Sequence, residues 1–344
     1  MYRTSFKFRI TVVNLNPLPP PLNTHKMTDS KQTVIDHLDT MRQGDLIRGE
    51  KFSAIAYSKA IKALKNLPGP LTSADQVKGI KGIGVKIRAK ITEIIATGEL
   101  AAATRTRNEL DLKTYEALLK VHGIGPVKAR ELVKDHKITG IDHLRKNQQL
   151  LNDVQRLGLK YYDDILERIP RDEMEKHETL LMSHLPSTCE GVIVGSYRRK
   201  AADSGDIDML IRFKGLHKKS TFTDYVEVLK TTGYLNDILA LGPKKCMAVV
   251  TLPGGKARRL DLLVTPAAAF AYSILYFTGS DVFNVAFRSH CLTKGYTLNE
   301  HALTPTREDV PEVPVMKTEE DIFRFVGIKY VAPEFRGSSE ITLL

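Results

Sequence analysis

Apolar residues along this chain change their spacing near residue 170. From residue 30 to about residue 107 they recur at intervals of three and four, as at Val34, Leu38 and Met41, which is the period of an amphipathic helix. A second helical block is predicted from residue 110 to residue 170. Glycine and proline, which interrupt helices, predict breaks at Gly44, Pro68-Gly69-Pro70, Gly98, Gly123-Ile124-Gly125-Pro126 and Gly158.

Beyond Pro170, short runs rich in β-branched residues replace the helical spacing. Four of these runs are predicted to be strands, at residues 192–195 (VIVG), 206–213 (DIDMLIRF), 246–252 (CMAVVTL) and 258–265 (RRLDLLVT). Turns and helical stretches separate them. The predicted fold class is therefore multidomain, with an all-α N-terminal half followed by an α+β half.

The first 26 residues differ in composition from the rest of the chain. They contain four cations, no acidic residue and four prolines between Pro17 and Pro21. Two interpretations remain open, a targeting presequence and a disordered extension ahead of a start at Met27. In both cases residues 1–26 are expected to lie outside the folded domains.

A short glycine motif occurs twice in the helical half. Gly82-Ile83-Gly84 and Gly123-Ile124-Gly125 lie 41 residues apart, and each precedes a basic helix start. The glycines permit a tight turn whose backbone N–H groups approach a phosphate closely at a helix N-terminus. The repeat predicts two helix-hairpin-helix motifs that bind the DNA backbone, while two ordinary glycine-rich helix connections are the simpler alternative.

Composition narrows the class of partner. The chain of 344 residues carries a formal net charge of +11, which favours a polyanionic partner such as nucleic acid or an anionic membrane surface. No apolar run reaches the roughly 18 residues that span a bilayer. Cys189, Cys246 and Cys291 are widely separated and match neither a disulfide framework nor a zinc site.

Residues 78–90 (KGIKGIGVKIRAK) contain five cations and no acid. Lys86 and Lys90 are four residues apart and share one face of the predicted helix. Neighbouring cations disfavour the protonated form of a lysine, and a free amine beside DNA can form a Schiff base with an abasic sugar. On spacing alone, phosphate contacts by all five cations are the favoured interpretation.

Residues 195–211 (GSYRRKAADSGDIDMLI) are the most informative stretch. Gly195-Ser196 follows a predicted strand, so this turn can hold a triphosphate through backbone N–H groups, with three cations close behind. Asp206 and Asp208 alternate along a strand, so both carboxylates face one side and suit Mg²⁺. A solvated D-x-D edge is the alternative.

Asp261 is a lone acid in the apolar run RRLDLL, a costly position unless the carboxylate has a function. Three converging acids can hold two metal ions about 4 Å apart for in-line attack on a phosphate. The combination of turn, cations, D-x-D pair and later Asp261 therefore predicts nucleotidyl transfer.

These motifs, in this order, resemble the family X DNA polymerases, most closely the beta and lambda members. The similarity runs from about residue 45 to residue 336 through AYSKAIKAL (56–64), GIGVKIRAKITEI (82–94), VHGIGPVKAREL (121–132), NDVQRLGLKYYDDILERIPRDEM (152–174), GSYRRKAADSGDID (195–208), RRLDLL (258–263), YFTGSDVFNVAFR (276–288) and KGYTLNE (294–300). The resemblance implies a template-directed, gap-filling DNA polymerase of base excision repair. It implies a lyase domain with the first helix-hairpin-helix (27–105), a DNA-binding subdomain with the second (106–170), a nucleotidyltransferase palm (171–267) and a nucleotide-selecting C-terminal subdomain (268–344).

The resemblance also assigns roles to individual residues. Two Mg²⁺ ions, for which Mn²⁺ can substitute, would be held by Asp206, Asp208 and Asp261. The incoming nucleotide would be held by Arg168, Ser196, Arg199, Gly205, Asp206, Tyr276, Phe277, Gly279, Asp281 and Asn284. DNA would be contacted by Tyr57, Lys86, Gly82, Gly84, Gly123, Gly125, Lys245, Arg259 and Arg288. Na⁺ or K⁺ ions would be held by the backbone carbonyls of Lys78, Ile80 and Ile83, and of Leu119, Val121 and Ile124.

Lys90 falls at the family's Schiff-base lysine, so the resemblance implies a 5′-deoxyribose-phosphate lyase as well. Phe52 and Ser53 stand where the beta member carries a histidine and a basic residue that bind the 5′-phosphate. Ala89 replaces a glutamate beside the nucleophile, and Leu263 replaces an arginine that toggles one metal-binding aspartate. These departures predict a slow or poorly anchored lyase and the loss of that toggle.

Two other functions remain open. A template-independent terminal transferase of the same family would carry an extra loop in the palm, for which residues 231–249 are too compact. A non-catalytic DNA-binding scaffold would not need all three aspartates. The favoured enzyme is expected to be a monomer in the nucleus. Its expected partners are gapped or nicked DNA and deoxynucleoside triphosphates, and it is not expected to bind a membrane. A mitochondrial location would follow if residues 1–26 were a presequence.

Overall fold

The computed structural model describes residues 29–109, 111–216 and 218–344. The predicted extension at residues 1–26 lies outside the described residues. The chain divides into two compact units, the first ending at Leu112 and the second running from Lys113 to Leu344. Among the described residues, no helix is both long enough and apolar enough to cross a membrane.

The first unit is helical in its described residues. Its α-helices are α1 (Lys31–Arg48), α2 (Lys51–Lys65), α3 (Val85–Thr97) and α4 (Ala101–Glu109). Their apolar faces enclose one core, in which Leu38, Leu64 and Ile91 are fully buried. The predicted break at Gly98 is confirmed, because this residue ends α3 in the left-handed conformation with φ 77°. The predicted break at Pro68-Gly69-Pro70 is confirmed between α2 and α3.

The second unit contains the remaining described elements. Its helices are α5 (Leu112–Leu119), α6 (Pro126–Lys134), α7 (Ile141–Arg145), α8 (Asp153–Lys160), α9 (Tyr162–Leu166), α10 (Arg171–His184), α11 (Gly195–Arg198), α12 (Thr221–Thr231), α13 (Phe270–Thr278), α14 (Asp281–Thr293) and α15 (Glu319–Phe325). Its strands are β1 (Ile169–Pro170), β2 (Cys189–Ile193), β3 (Asp203–Ser204), β4 (Ile207–Phe213), β5 (Leu235–Leu241), β6 (Lys245–Thr251), β7 (Ala257–Val264), β8 (Tyr296–Leu298) and β9 (Leu303–Pro305). The predicted order, helices first and then a mixture of helices and strands, is confirmed.

A five-stranded sheet forms the centre of the second unit. The strand order is β2-β4-β7-β6-β5, and of the four neighbouring pairs only β4 with β7 is parallel. One face of the sheet packs with α10 and α12 around a core that includes Leu181, Leu229 and Leu262. The other face carries the acidic residues discussed below. The β1–β3 and β8–β9 pairs form two small separate sheets.

Three of the predicted strands are confirmed as β4, β6 and β7. The predicted strand at 192–195 shares only residues 192 and 193 with β2, where β2 ends. Strand β5 was not predicted, because it is an edge strand with two register shifts and lacks a regular alternation of apolar and polar residues.

Two predicted helix breaks are wrong. Helix α1 continues through Gly44 and α8 continues through Gly158. A Cβ at Gly44 would lie 2.4 Å from Thr106 Cγ2, and a Cβ at Gly158 would lie 2.3 Å from the carbonyl oxygen of His122. Both glycines therefore permit the close approach of another element, a long-range requirement that local sequence does not reveal.

A second core of this unit lies among α13, α14, α15 and the β8–β9 hairpin. Phe283, Phe287 and Phe323 form its aromatic centre. Arg198 of α11 donates hydrogen bonds to Thr278 at 2.8 Å and to Glu319 at 2.6 Å. These bonds tie α11, beside the large sheet, to the helices of the C-terminal part.

Candidate active site

The predicted acidic residues lie on two neighbouring strands at the centre of the large sheet. Asp208 on β4 and Asp261 on β7 are partners in the parallel ladder. Neighbouring strands are about 4.8 Å apart, so the two carboxylates leave the same face side by side. Asp206 immediately precedes β4 and, by alternation, belongs to the same face.

Burial dominates the electrostatics of Asp208. Burial raises the pKa of Asp208 to about 6, with a smaller contribution from the neighbouring Asp261 carboxylate and an opposing one from Lys245. The Oδ1 atom of Asp261 is buried and has no hydrogen-bond partner. A divalent cation stabilises two desolvated carboxylates of this kind, because it supplies the missing positive charge and prefers oxygen ligands. Asp208 and Asp261 therefore fit a divalent-cation site.

Arg259 lies among the acids. Its guanidinium forms an ion pair with Asp206, and its Nε is 3.8 Å from Asp261 Oδ1. As the side chains stand, no three or more His, Cys, Asp or Glu residues of the described chain form a group that could hold a metal ion. The structure brings Asp208 and Asp261 together. Asp206 instead forms an ion pair with Arg259, and Arg259 lies on the same face of β7 as Asp261.

A cleft of about 590 Å³ opens beside the acids. Asp208 contributes to its lining, together with Gly195, Ser280 and Val282. The remaining lining residues are the ten predicted to hold the incoming nucleotide, namely Arg168, Ser196, Arg199, Gly205, Asp206, Tyr276, Phe277, Gly279, Asp281 and Asn284. Segments from four separate parts of the sequence therefore meet in one cavity of a size suited to a small ligand.

Hydrogen bonds hold the polar groups of the cleft in place. Arg199 Nη1 donates to the carbonyl oxygen of Thr278 at 2.8 Å, at the end of α13. The side-chain amide of Asn284 donates to the carbonyl oxygen of Tyr276 at 2.7 Å. The hydroxyl of Ser196 donates to the hydroxyl of Ser204 at 2.9 Å. Burial lowers the pKa of Arg199, although Asp281 opposes this shift.

The two glycine motifs form matching turns, one in each unit. In both turns an isoleucine N–H donates to a carbonyl oxygen three residues earlier at 3.0 Å, and the glycine before that isoleucine has a positive φ, 100° in the first turn and 83° in the second. These residues are Ile83, Ile80 and Gly82 in the first unit, and Ile124, Val121 and Gly123 in the second. Helices α3 and α6 begin directly after the turns. The geometry is the one expected of a helix-hairpin-helix.

The second turn borders a cavity of about 470 Å³ that is lined by residues 119–125 and Arg259. Three residues predicted to bind a monovalent ion through their carbonyls, Leu119, Val121 and Ile124, belong to that lining. In the second unit the turn and Arg259, both predicted to contact DNA, therefore face the same space. Two further predicted DNA contacts, Lys245 on β6 and Arg288 on α14, are exposed.

In the first unit, Lys86 and Lys90 lie one turn apart on α3. Lys86 is exposed and Lys90 is half-buried. Tyr57 of α2 is buried in the core that also contains Ile87 of α3. Burial raises the pKa of Tyr57. The lysines thus lie on a helix whose apolar residues, Ile87 among them, pack into the core of the first unit.

Comparisons with known proteins cover most of the chain. Four family descriptions match in succession, a helix-hairpin-helix domain at 29–100, a fingers domain of DNA polymerase lambda at 116–166, a DNA polymerase beta palm at 168–267 and a DNA polymerase beta thumb at 273–337. DNA polymerase lambda of Arabidopsis thaliana is 32% identical over 313 residues, which is 84% of this chain. The chain belongs to the family X DNA polymerases.

A second relative of this family X polymerase is DNA polymerase lambda of Rattus norvegicus. It is 29% identical over 333 residues, or 91% of this chain. The chain spans 57% of the length of the rat relative and 59% of the Arabidopsis relative. The three acids lie within the palm match, and Tyr276 and Asn284 lie within the thumb match.

Sequence reasoning missed Asp203 in this family X polymerase. Arg168 donates to Asp203 Oδ1 from Nε at 2.9 Å and from Nη2 at 2.7 Å, and Nη2 also donates to the Asp203 carbonyl oxygen at 3.2 Å. Arg168 precedes β1 and Asp203 begins β3, and these two strands pair with each other. Two-residue strands carry no detectable periodicity, so the sequence held no signal for this contact.

Proposed function

We propose that this family X polymerase is a template-directed, gap-filling DNA polymerase that adds deoxynucleotides to a primer 3′-hydroxyl by two-metal catalysis. The observation that carries the proposal is the cleft in which all ten predicted nucleotide residues meet Asp208, beside its ladder partner Asp261. Both relatives are DNA polymerases lambda, which supports polymerase activity. Base excision repair in the nucleus is the proposed role.

Asp206, Asp208 and Asp261 would hold the divalent ions, Mg²⁺ or in its place Mn²⁺. When bound, the ions supply Lewis-acid activation of the primer hydroxyl and neutralise charge on the triphosphate. Asp261 Oδ1, which has no hydrogen-bond partner, is the atom proposed to accept the proton of the 3′-hydroxyl. Arg259, which pairs with Asp206 in the structure, is proposed to contact the DNA backbone.

The walls of the cleft would bind and orient the incoming nucleotide. Arg168 and Arg199 would contact the triphosphate, together with the turn at Ser196. Tyr276 and Phe277, whose ring centroids are 5.1 Å apart, would exclude the ribose 2′-hydroxyl. On α14, Asp281 would stack on the base and Asn284 would contact its minor-groove edge, while Arg288 would contact the template. The backbone carbonyls of the two hairpins would hold Na⁺ or K⁺, which would supply positive charge for DNA phosphates.

A 5′-deoxyribose-phosphate lyase is proposed for the first unit. The Lys90 amine would add to the sugar aldehyde and lose water to form an imine, which permits β-elimination of the sugar phosphate. The exposed Lys86 one turn away and the helix-hairpin-helix match at 29–100 support a DNA-facing surface here. The proposed domains remain 27–105 for the lyase, 106–170 for DNA binding, 171–267 for the palm and 268–344 for nucleotide selection.

The polymerase proposal is tested with Asp261→Ala on a one-nucleotide-gapped duplex. We expect extension to fall by roughly 10³-fold or more, because metal and nucleophile both depend on this carboxylate. Gapped-DNA affinity should stay within a few-fold, because it comes mainly from phosphate contacts elsewhere. Asp224→Ala, which removes an exposed acid of α12, is the matched control.

Extension by Asp261→Ala at the wild-type rate would contradict the active-site assignment. Extension of a single-stranded primer by the wild-type protein, without a template, would instead favour the terminal transferase.

A further inference from the structure

Arg168 and Asp203 form an exposed ion pair at the edge of the cleft. The side chains are 57% and 51% exposed. A solvent-exposed pair of this kind contributes little to folding, because water screens the charges and ordering two side chains costs entropy. The pair nevertheless has good geometry, with two short bonds from Arg168 to a single oxygen of Asp203. Its geometry therefore suggests a role other than stability.

The third guanidinium nitrogen of Arg168 points elsewhere. None of the described hydrogen bonds uses Nη1, whereas Nε and Nη2 are both taken up by Asp203. A Cβ built at Gly205 would lie 3.0 Å from Nη1, so this nitrogen passes directly over a glycine of the cleft lining. The guanidinium therefore faces Asp203 with Nε and Nη2, and its Nη1 remains available to a ligand.

The backbone next to Arg168 is held independently. Ile169 pairs with Ser204 in the β1–β3 ladder, and the carbonyl oxygen of Glu167 accepts a hydrogen bond from Arg258 Nη1 at 3.1 Å. The backbone contacts therefore do not fix the direction of the long Arg168 side chain, which depends on the contacts of the side chain itself. Asp203 is the side chain that restrains it.

We propose that Asp203 is a positioning residue that orients Arg168 so that Nη1 faces the triphosphate of the incoming nucleotide. This inference rests on the proposed polymerase function. Holding the arginine before the nucleotide arrives reduces the side-chain freedom lost on binding, which tightens binding without a new contact to the ligand. Asp203 acts as a hydrogen-bond acceptor, so an uncharged acceptor at this position can replace it.

The alternative is that Asp203 weakens nucleotide binding. A carboxylate near the triphosphate can repel it and compete for Arg168, in which case its removal would tighten nucleotide binding. The sign of the change in nucleotide affinity on removing Asp203 therefore separates positioning from competition.

The test compares Asp203→Ala, Asp203→Asn, Arg168→Ala and the double variant Asp203→Ala/Arg168→Ala as full chains on one-nucleotide-gapped DNA. Steady-state extension gives KM and kcat for the complementary deoxynucleotide with Mg²⁺. Titration of the same nucleotide onto a complex with a dideoxy-terminated primer gives Kd without chemistry. Thermal unfolding of each variant controls for stability.

We expect Asp203→Ala to raise KM and Kd by roughly 3- to 10-fold, the worth of one or two ordinary hydrogen bonds, with kcat within about two-fold. Asp203→Asn should stay within about two-fold of wild type, because Asn Oδ1 accepts the same bonds. In the Arg168→Ala background, Asp203→Ala should change neither quantity.

An unchanged or lower KM and Kd in Asp203→Ala overturns the proposal. An equal rise in the Arg168→Ala background overturns it as well, because Asp203 would then act independently of Arg168. If Asp203→Asn raised KM and Kd as much as Asp203→Ala, the negative charge of Asp203 would control nucleotide binding and not its hydrogen bonds to Arg168. That result also overturns the proposal. If wild-type protein fails to extend the primer, the polymerase proposal fails, while the Kd values of the four variants still decide the role of Asp203.

Discussion

Arg258 and Arg259 are neighbours on β7 whose side chains leave opposite faces of the sheet, as alternation along a strand requires. Arg259 reaches the acids of the cleft. Arg258 is nearly fully buried on the other face, where it donates to both carboxylate oxygens of Glu173 at 2.6 and 2.9 Å. Glu173 in turn lies 3.6 Å from the Nε2 atom of His177. A buried polar chain thus runs behind the strand that carries Asp261.

His177 makes the stability of the second unit depend on pH. Burial lowers the pKa of His177 to about 4, against opposing contributions from Glu173, and its Nδ1 is 2.7 Å from the Tyr234 hydroxyl. In the unfolded chain the pKa returns to about 6.5. Because the unfolded state then binds the proton first, the free energy of unfolding falls as pH drops from about 6.5 to about 4 and levels off below that.

We expect His177→Gln to reduce this acid sensitivity. Glutamine does not titrate, so between about pH 7 and pH 4.5 the variant should lose on the order of 1–3 kcal/mol less than wild type. Urea unfolding at the two pH values measures the difference. Carboxylates other than Glu173, which contacts His177, contribute equally to both proteins, and His143→Gln, at an exposed position, is the control. Identical pH dependence in wild type and His177→Gln would refute the role of His177.

At the scale of elements, sequence reasoning succeeded where the signal is local. The apolar runs of β4, β6 and β7 were sufficient to predict three strands of the large sheet, and the resemblance to the family X polymerases supplied the residues that line the cleft. Sequence reasoning failed where one element must fit against another. Neither the packing of α8 against the second hairpin nor the β1–β3 pair that places Asp203 beside Arg168 leaves a periodic trace in the sequence.

Helix α8 and the second hairpin touch through Gly158. A Cβ there would lie 2.3 Å from the carbonyl oxygen of His122 and 2.9 Å from its nitrogen, and backbone atoms cannot move aside cheaply. We expect Gly158→Ala to displace the hairpin and lower the affinity for gapped DNA several-fold at roughly 150 mM salt, with a shallower salt dependence, because phosphate contacts are lost.

Fluorescence anisotropy across a salt series measures both quantities. Wild type should show a steep dependence and prefer a short gap with a 5′-phosphate over intact duplex. The control is Gly337→Ala, where a Cβ would meet nothing within 4 Å. Wild-type affinity and slope in Gly158→Ala would argue that the hairpin does not clamp DNA.

At the scale of the whole molecule, the two proposed activities fall in different compact units. Lys90 belongs to the unit that ends at Leu112, and the three acids belong to the unit that begins at Lys113. Each unit has a core of its own. A substitution on the surface of one unit should therefore leave the chemistry of the other intact.

We expect Lys90→Ala to remove nearly all borohydride trapping of a covalent adduct with 5′-deoxyribose-phosphate DNA, while extension of the same gapped substrate continues. The reduced imine is the species trapped, and its nitrogen comes from the lysine. Lys86→Ala, one turn away on α3, is the matched control and should weaken trapping only in part. Gel analysis of both variants on one substrate reads trapping and extension together.

Trapping that survives in Lys90→Ala and vanishes in Lys86→Ala would assign the chemistry to the other lysine. A wild-type protein that never traps would show that the changes at Phe52, Ser53 and Ala89 have abolished the lyase. Phe52 is 91% exposed, so its ring offers an apolar surface at the position where the resemblance implies a phosphate-binding histidine.

The ladder between β4 and β7 leaves this protein room to diverge. Backbone hydrogen bonds between β4 and β7 set the lateral spacing of Asp208 and Asp261. Substitutions among the flanking apolar side chains leave these bonds in place and hardly change the spacing. The residues of α13 and α14 that are proposed to select the nucleotide, by contrast, lie outside that ladder. A lineage can therefore change the side chains proposed to select the nucleotide while it keeps the distance between the Asp208 and Asp261 carboxylates, a division that suits a chain 29–32% identical to its two DNA polymerase lambda relatives.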